Sequence, residues 1–324
     1  MLPLKPGQEG SEVADVQQRL VAVGFSLGDD EVGCLGPCTH AAIREFQRQR
    51  GLRVDGVLGR HTWAALVEAG HQLGNRYLYR RTPMLRGDDI AELQTRLGTL
   101  GFDCGKVDGI FGDQTAKALT EFQRNTGLNP DGICGPETLG ELQRLTRRAE
   151  RSPRQSVAPD LQSMRRSPRP LTGRKVVLGE PGGLGATIAA IARRLSDHGA
   201  AVVQLHHPDD SQLALLANAT HADVFIGLRV QPDQEICEIS YYAGYRYESS
   251  SGKRLAQLVQ DALGPLFGPQ PAAIQGMSIA LLRETRMPAV LCELGPALTV
   301  ARLGPSLALA LHTALQSWVS SDWS

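Results

Sequence analysis

The residues with the greatest capacity for chemistry lie in the second half of the chain, at the ends of short apolar runs. Glu293 follows the apolar run 289–292, and Arg229 follows the run 225–228. A carboxylate at the end of a buried strand can act as a general base, but it needs a nucleophile to deprotonate. Arginine is charged at any working pH and has no lone pair for a metal ion. Glu293 and Arg229 together therefore do not supply both a general base and a metal ligand for metal-assisted hydrolysis.

Histidines near the same strand ends are the remaining candidates for a metal site. His206 and His207 end one apolar run, and His221 precedes the next. Three aspartates lie nearby in sequence: Asp209, Asp210 and Asp223. Adjacent residues of a strand point to opposite faces, so at most one of His206 and His207 can face any one site. We therefore expect no metal ion and no cofactor.

These side chains belong to a region in which strand-like and helix-like segments alternate. Such an order predicts an α/β domain with a central sheet flanked by helices on both faces. The expected strands are Lys175–Leu178, Ala201–Leu205, Val224–Leu228, Ile236–Tyr242, Ile279–Leu282 and Ala289–Leu291, and the expected helices are Ile188–Leu195, Leu213–Ala219, Leu255–Leu263 and Leu307–Val319.

The first half of the chain contains a duplication. At a constant offset, Phe46-Gln47, Gly51-Leu52 and Asp55-Gly56 recur as Phe122-Gln123, Gly127-Leu128 and Asp131-Gly132. In each copy, apolar residues recur with helical periodicity, and glycines that permit tight turns separate the helical segments. Each copy is therefore predicted to be a small all-α unit of three helices. A tandem of this kind is typical of binding modules, because two linked sites raise the effective concentration on a repetitive ligand.

The second copy resembles the peptidoglycan-binding domain found beside bacterial cell-wall hydrolases. From Gly101 onward it reads G-F-x-x-G-x-V-D-G-x-F-G-x-x-T, then A-L-x-x-F-Q and D-G-I-x-G-P-x-T-L. The resemblance implies a muramyl-peptide or peptidoglycan precursor as ligand, with these ligand-binding residues: Asp108, Phe111, Gln123 and Asp131. Val32 stands in the first copy where the second has Asp108, so the first copy is expected to bind less well.

The α/β region resembles the zinc-dependent N-acetylmuramoyl-L-alanine amidases. The likeness lies in L-x-L-L-A-N-A-T-H-A-D-V-F-I-G-L from Leu213 to Leu228 and in Leu291-Cys292-Glu293-Leu294-Gly295. That family holds zinc with two His and one Glu and leaves one position open for water. Here the first-ligand segment reads Gly179-Glu180-Pro181-Gly182-Gly183, without an imidazole, and the loop that carries the ligand Glu is expected to be deleted.

By the same resemblance, Arg229 occupies the position of the second zinc-binding histidine, and Glu293 matches the catalytic glutamate. A guanidinium in that position would repel a divalent cation by several kcal/mol at an effective dielectric near 20. We therefore expect no catalytic residue, with Glu293 as a relic. A bidentate pair between Arg229 and Glu293 could fill the vacated space; the alternative is that Glu293 is solvated and Arg229 faces elsewhere.

The combination of both regions resembles the CwlM family of actinobacterial amidase-like regulators. Membership would imply a protein that does not hydrolyse peptidoglycan but activates a cytosolic cell-wall synthesis enzyme, of the UDP-N-acetylglucosamine enolpyruvyl transferase class. It would also imply control by a serine/threonine kinase. Ser152 and Ser167 each precede a proline with arginine close by, so they are the expected phosphorylation sites.

Composition gives the expected domain plan and location. We expect repeats at 1–72 and 73–146, a linker at 147–172 and an amidase-like domain at 173–324. The linker is rich in Pro and Ser and carries seven arginines against two acidic residues. We see no secretory signal and no membrane span, so a cytoplasmic location is expected, with the inner membrane face as an alternative and six reduced cysteines. No nucleic-acid partner is expected.

Two other functions remain open. The chain could be an active N-acetylmuramoyl-L-alanine amidase with an atypical metal site, which would require stoichiometric zinc. It could also be a structural adaptor whose repeats bind protein rather than glycan, and such an adaptor should ignore muramyl-peptides.

Overall fold

The fold is described from a computed structural model, which covers Leu4 and residues 6–150, 171–244, 247–268 and 272–320 of the 324-residue chain. The chain divides into two compact units, Met1–Pro159 and Asp160–Ser324. Most of the expected linker, with Ser152 and Ser167, lies outside the described residues.

In the described part of unit 1, the regular elements are helices, and turns with isolated β-bridges connect them. Its helices are α1 Ser11–Ala22, α2 Pro37–Gln49, α3 Arg60–Ala69, α4 Asp88–Thr99, α5 Asp113–Thr126 and α6 Pro136–Glu150. A glycine precedes each helix, and Pro37 and Pro136 occupy first helical positions, where the missing N–H costs nothing. Because α6 continues to Glu150, the helix runs past the boundary expected at residue 146.

Each copy of the duplication packs its own apolar core. The first core is built around Leu20, Ile43 and Phe46, and the second around Leu97, Leu119 and Phe122, among others. An edge-to-face aromatic pair recurs in both: Phe25 with Phe46 at 6.0 Å between ring centroids, and Phe102 with Phe122 at 5.4 Å. The predicted pair of three-helix units is therefore confirmed.

The two repeats also contact each other within unit 1. Nη1 of Arg50, just after α2, lies 2.7 Å from both carboxylate oxygens of Asp88, the first residue of α4. The Asp88 carboxylate is at the positive end of α4, which adds a favourable interaction with the helix dipole. The repeats are thus joined by a charged contact as well as by the chain.

Unit 2 is a six-stranded mixed sheet with helices on both faces. The strands are β1 Lys175–Glu180, β2 Ala201–His206, β3 Val224–Val230, β4 Ile236–Tyr242, β5 Ala273–Met277 and β6 Ala289–Gly295, and their order across the sheet is β2-β1-β3-β6-β4-β5. All neighbouring pairs are parallel except β4 with β6. The α-helices are α7 Gly185–Asp197, α8 Asp210–Ala219, α9 Ser250–Leu263, α10 Ala280–Glu284, α11 Ala297–Arg302 and α12 Gly304–Ser320.

The sheet separates two apolar cores. Val176 and Leu178 of β1 belong to the core that includes α7, α9 and α12, whereas Val177 packs with α8 and α10 on the other face. This alternation is what strands buried on both faces require. The predicted α/β domain with a flanked central sheet is confirmed.

One predicted strand is wrong. Residues 279–282 form the start of the short helix α10, and Leu281 and Leu282 are buried by it. The neighbouring strand β5, which begins at Ala273, was not predicted because Gly276 and Gln275 interrupt its apolar character. A short apolar run does not distinguish a strand from one buried helical turn.

Within the described segments, no helix is both long enough and apolar enough to cross a bilayer.

Candidate functional site

The first candidate site lies at the carboxyl ends of the parallel strands of unit 2. In the register of β3 with β6, Arg229 is directly opposite Glu293. Partners on adjacent parallel strands point to the same face, so the sheet itself brings the two side chains together. Nη1 of Arg229 lies 3.4 Å from Oε1 of Glu293. The expected contact is present, but as one long bond rather than in bidentate form.

Arg229 makes its shorter ion pair with a different carboxylate. Its Nη2 atom lies 2.8 Å from Oδ1 of Asp210, the first residue of α8. Glu293 in turn accepts a hydrogen bond of 3.2 Å from Nε2 of Gln231. The side chains of Arg229 and Asp210 are each 28 % exposed, and that of Glu293 is 15 % exposed. One guanidinium thus bridges two partly buried carboxylates, so each of these side chains has a cationic partner.

The turn after β1 is held closed by Glu180. This carboxylate is buried, and its Oε2 atom accepts a 2.6 Å hydrogen bond from the backbone N–H of Leu184. A Cβ atom on Gly182 would meet the ring of His206 at 3.3 Å, so this turn packs against the end of β2. The segment that would carry the first zinc ligand in the amidase family is therefore a short, glycine-rich turn, and α7 begins directly at Gly185.

Three of the other candidate metal ligands, Asp223, His207 and Asp209, are engaged elsewhere. Asp223 pairs with Arg174 at 2.9 Å and accepts a 2.8 Å bond from the backbone of Lys175. His207 and Asp209 contact each other around the start of α8. Among the residues that the structure describes, no three His, Cys, Asp or Glu side chains are grouped so as to hold a metal ion. Together with the guanidinium of Arg229, this donor set does not fit zinc.

The second candidate site lies in the turns of repeat 2, where two glutamines organise the backbone. Nε2 of Gln123 donates to Oδ1 of Asp131 at 2.9 Å, to the carbonyl of Ile133 at 3.0 Å and to Oγ1 of Thr138 at 3.1 Å. Its Oε1 accepts from the N–H of Gly132 at 2.9 Å. Gly132 has φ +73°, a conformation that favours glycine.

Gln94 makes the same set of bonds one turn earlier. It donates to Asp108, Ile110 and Thr115 at 2.9, 3.2 and 3.0 Å and accepts from Gly109 at 2.9 Å. In repeat 1, Gln47 holds Asp55, Gly56 and Thr62 in the same way. A glutamine-anchored turn, defined as a Gln that bonds a Gly N–H and a Thr hydroxyl, therefore occurs at least three times.

The fourth glutamine-anchored turn lacks its aspartate. Gln17 accepts from Gly33 at 2.7 Å and donates to Thr39 at 3.1 Å, but Val32 stands where the other turns have Asp. Nε2 of Gln17 bonds the carbonyl of Glu31 instead, at 3.1 Å. The Val32 side chain is left 87 % exposed.

These contacts change the expected roles of the four predicted ligand-binding residues. Phe111 is fully buried in the core of repeat 2, and Gln123 is 1 % exposed with its amide bonded internally. The prediction that these two side chains bind a ligand directly is not compatible with that burial; they position the turns. Asp108 is half-buried and Asp131 is exposed, so ligand contact remains a proposal for these two carboxylates.

Sequence reasoning missed two parts of these sites. Asp210 was considered only as a metal ligand, and its pairing with Arg229 depends on where α8 begins. The threonines of the glutamine-anchored turns were also missed as hydrogen-bond partners, although their constant distance after the Asp-Gly pairs was a usable signal.

Comparisons with known proteins agree with both halves of this description. The family model for a putative peptidoglycan binding domain matches residues 9–66 and 86–142. The model for N-acetylmuramoyl-L-alanine amidase matches residues 186–297. The fold and the matches define a peptidoglycan-related protein that joins two domains of the peptidoglycan-binding type to a domain of the amidase type.

Individual related proteins identify the family more narrowly than these domain models do. The N-acetylmuramoyl-L-alanine amidase CwlM of Mycobacterium tuberculosis is 33 % identical over 332 residues, which cover 90 % of this chain and 81 % of the relative. The chain therefore belongs to the CwlM family. The N-acetylmuramoyl-L-alanine amidase CwlL of Bacillus licheniformis is 33 % identical over 165 residues, 44 % of this chain and 45 % of that protein.

One solved structure is similar to part of this chain. The N-acetylmuramoyl-L-alanine amidase from Clostridium difficile 630 is 20 % identical, with a TM-score of 0.37, and the match covers 47 % of this chain and 100 % of that one.

Proposed function

We propose that this chain is a non-catalytic regulator of peptidoglycan biosynthesis, an amidase pseudoenzyme that binds muramyl-peptides or peptidoglycan precursors. The observation that carries the proposal is Arg229, whose guanidinium bridges Asp210 and Glu293 at the end of β3. By resemblance, an active amidase needs a zinc-binding imidazole at this position. A guanidinium cannot coordinate zinc, and it repels a divalent cation. The chain then holds no zinc, and Glu293 has no activated water to deprotonate.

The regulatory half of the proposal concerns a protein partner. A chain that binds precursors without cleaving them can report precursor supply to a synthesis enzyme in the cytoplasm. The partner proposed is an enzyme of the UDP-N-acetylglucosamine enolpyruvyl transferase class, with a serine/threonine kinase acting on the chain. The test is the rate of the purified transferase with and without this protein; an unchanged rate at saturating concentration contradicts that partner.

The second candidate function is a zinc-dependent N-acetylmuramoyl-L-alanine amidase with an atypical site. The observation that favours it is the name of the relatives, which are described as N-acetylmuramoyl-L-alanine amidases. The structural-adaptor alternative has no comparable support, because both repeats match a putative peptidoglycan binding domain.

One experiment separates the first two functions. The purified protein is freed of chelator and supplied with zinc, its bound metal is measured, and release of peptide from a muramyl-peptide is followed. Absence of bound zinc and of turnover is the expected result. About one zinc per chain with peptide release would overturn the pseudoenzyme and establish a hydrolase.

A further inference from the structure

An exposed strip of two tyrosines and one isoleucine marks the surface of repeat 2; the tyrosines lie outside the residues matched by the family model, and the isoleucine lies within them. Tyr77 is 59 % exposed, Tyr79 is 40 % exposed and Ile133 is 38 % exposed. We call these three residues the aromatic strip. Exposed apolar side chains that lie next to each other point to a binding surface more strongly than scattered ones.

Backbone pairing fixes the geometry of the strip. Leu78 pairs with Cys134 in an antiparallel bridge, with N–H to carbonyl bonds of 2.8 and 3.3 Å. Leu78 is fully buried, so its two neighbours point to the opposite, solvent side. The antiparallel register places Tyr77 opposite Gly135 and Tyr79 opposite Ile133.

The ring of Tyr77 packs against Gly135. A Cβ atom there would lie 2.9 Å from Cε1 of Tyr77, so the ring rests directly against the glycine backbone. Tyrosine has few rotatable bonds, and a ring held against backbone loses little further freedom when a ligand stacks on it. The strip is therefore preorganised.

Repeat 1 has the same bridge without the aromatic residues. Leu4 pairs with Leu58 as Leu78 pairs with Cys134. The sequence neighbours of Leu4 are Pro3 and Lys5, and a Cβ atom on Gly59, the equivalent of Gly135, would meet no atom of the described residues within 4 Å. The two repeats thus differ in one feature that bears on ligand binding.

From this surface we infer that repeat 2 binds the saccharide part of a peptidoglycan fragment by stacking it on Tyr77 and Tyr79. The inference rests on the proposed function and names the repeat and the surface that would carry it. A pyranose presents an apolar C–H face that matches an aromatic ring, while the tyrosine hydroxyls can bond the sugar's polar edge.

The charge beside the strip fits the same ligand. The chain continues from Tyr79 into Arg80 and Arg81, both exposed, and Arg80 lies 2.5 Å from Asp113. Asp113 offsets one of the two arginines, and the positive charge that remains next to the aromatic surface complements a muramyl-peptide, whose stem peptide carries carboxylates. The saccharide stacks on the strip and the stem extends toward the arginines.

The test compares three probes by protein-observed NMR titration of the full chain: the N-acetylglucosaminyl-N-acetylmuramyl disaccharide, the same disaccharide with its stem peptide, and the free stem peptide. Both disaccharide probes are expected to shift the signals of Tyr77 and Tyr79. The double variant Tyr77→Ala/Tyr79→Ala should lose about tenfold or more in affinity for both, while binding of the free stem peptide stays within about twofold.

A pair of glycine variants supplies a matched control. Gly135→Ala places a methyl group against the Tyr77 ring and should weaken disaccharide binding severalfold, because the exposed ring must move. Gly59→Ala is the same change in repeat 1, where no atom of the described residues lies within 4 Å of the added carbon, and it should leave affinity unchanged.

The outcomes separate this inference from the proposed function. If the double tyrosine variant binds the disaccharide as the wild type does, or if the wild type binds only the free stem peptide, the aromatic strip is not a saccharide site and the regulator proposal stands. If the wild type binds none of the three probes, the inference and the ligand-binding part of the proposed function both fail.

Discussion

Arg229 and Asp210 are joined across the edge of the unit 2 sheet by an Nη2–Oδ1 contact of 2.8 Å. The arginine is the last residue but one of β3, and the aspartate begins α8, whose amino end is already capped by Asp209. This pair anchors the guanidinium, and the longer contact to Glu293 completes the bridge.

A double-mutant cycle should rank these two contacts. We expect the coupling free energy between Arg229→Gln and Asp210→Asn to be about 1 kcal/mol, and that between Arg229→Gln and Glu293→Gln to be smaller. The difference follows from the shorter distance to Asp210, and partial exposure keeps both values modest. Urea unfolding of the four variants of each cycle measures the couplings; additive losses in both would mean that the bridge does not form.

Repeat 1 should be stabilised by restoring its missing aspartate. Val32→Asp would give the Gln17 amide the carboxylate acceptor that Asp55, Asp108 and Asp131 supply in the other turns. It would also remove an exposed apolar side chain. We expect a gain of about 1 kcal/mol in the free energy of unfolding of repeat 1, typical of one added hydrogen bond.

Hydrogen exchange at Gly33 measures this gain locally. Val32→Asn is a suitable companion variant, because its amide oxygen can accept the same bond without a charge. Faster exchange at Gly33 in both variants would show that the first turn has a geometry that cannot use the carboxylate.

Unit 2 should lose stability in mild acid through His312. This side chain is 7 % exposed, and its ring lies 4.1 Å from that of His198. Burial lowers the pKa of His312, and electrostatic interaction with His198 and Arg194 lowers it further. The unfolded state therefore binds a proton at this histidine more readily than the folded state does. The contribution of neutral His312 to the stability of unit 2 is complete above about pH 6.5 and is lost as pH falls through the folded-state pKa of His312.

His312→Leu should flatten this part of the pH profile. Thermal unfolding at pH 7.5 and pH 5 compares it with wild type, and His206→Leu, at an exposed position of the same unit, should keep the wild-type slope. An unchanged acid response in His312→Leu would assign the effect to other groups.

The cysteines should differ strongly in reactivity. Cys38 is exposed, whereas burial raises the pKa of Cys104 and of Cys134 to about 12 and that of Cys237 to about 11. The thiolate is the reacting species, so Cys104 and Cys134 should be alkylated much more slowly than the exposed Cys38. Limited iodoacetamide treatment at pH 8 with peptide mass spectrometry measures the rates; equal labelling of Cys38 and Cys134 in the folded protein would contradict the packing described for repeat 2.

Most of the architecture could be predicted from the sequence, because the periodicity of apolar residues reflects which side chains are buried. The helical spacing of the leucines and the repeated Asp-Gly pairs were sufficient to predict the three-helix units. The apolar run 224–228 was sufficient to predict a buried strand. The strand assignment at 279–282 failed because a four-residue apolar run has the same pattern in a strand and in one helical turn.

Side-chain partnerships were harder to foresee. The contact of Arg229 with Glu293 could be expected because both end neighbouring strands, but its length and geometry depend on Asp210. Phe111 and Gln123 were expected to bind ligand because of the family resemblance, and a sequence motif does not distinguish residues that support a turn internally from residues on its surface. Only three-dimensional burial makes that distinction.

In the glutamine-anchored turns, one spacing along the chain varies and another is constant. The bonded Gln and Gly are 16 residues apart for Gln17 and 15 for Gln94, but 9 for both Gln47 and Gln123. The distance from that glycine to its threonine is the same in all four. Insertions between the glutamine and its turn are thus absorbed without loss of the anchor. The segments 23–32 and 100–108, which follow α1 and α4, are therefore where a longer loop could be grafted while the helical scaffold is retained.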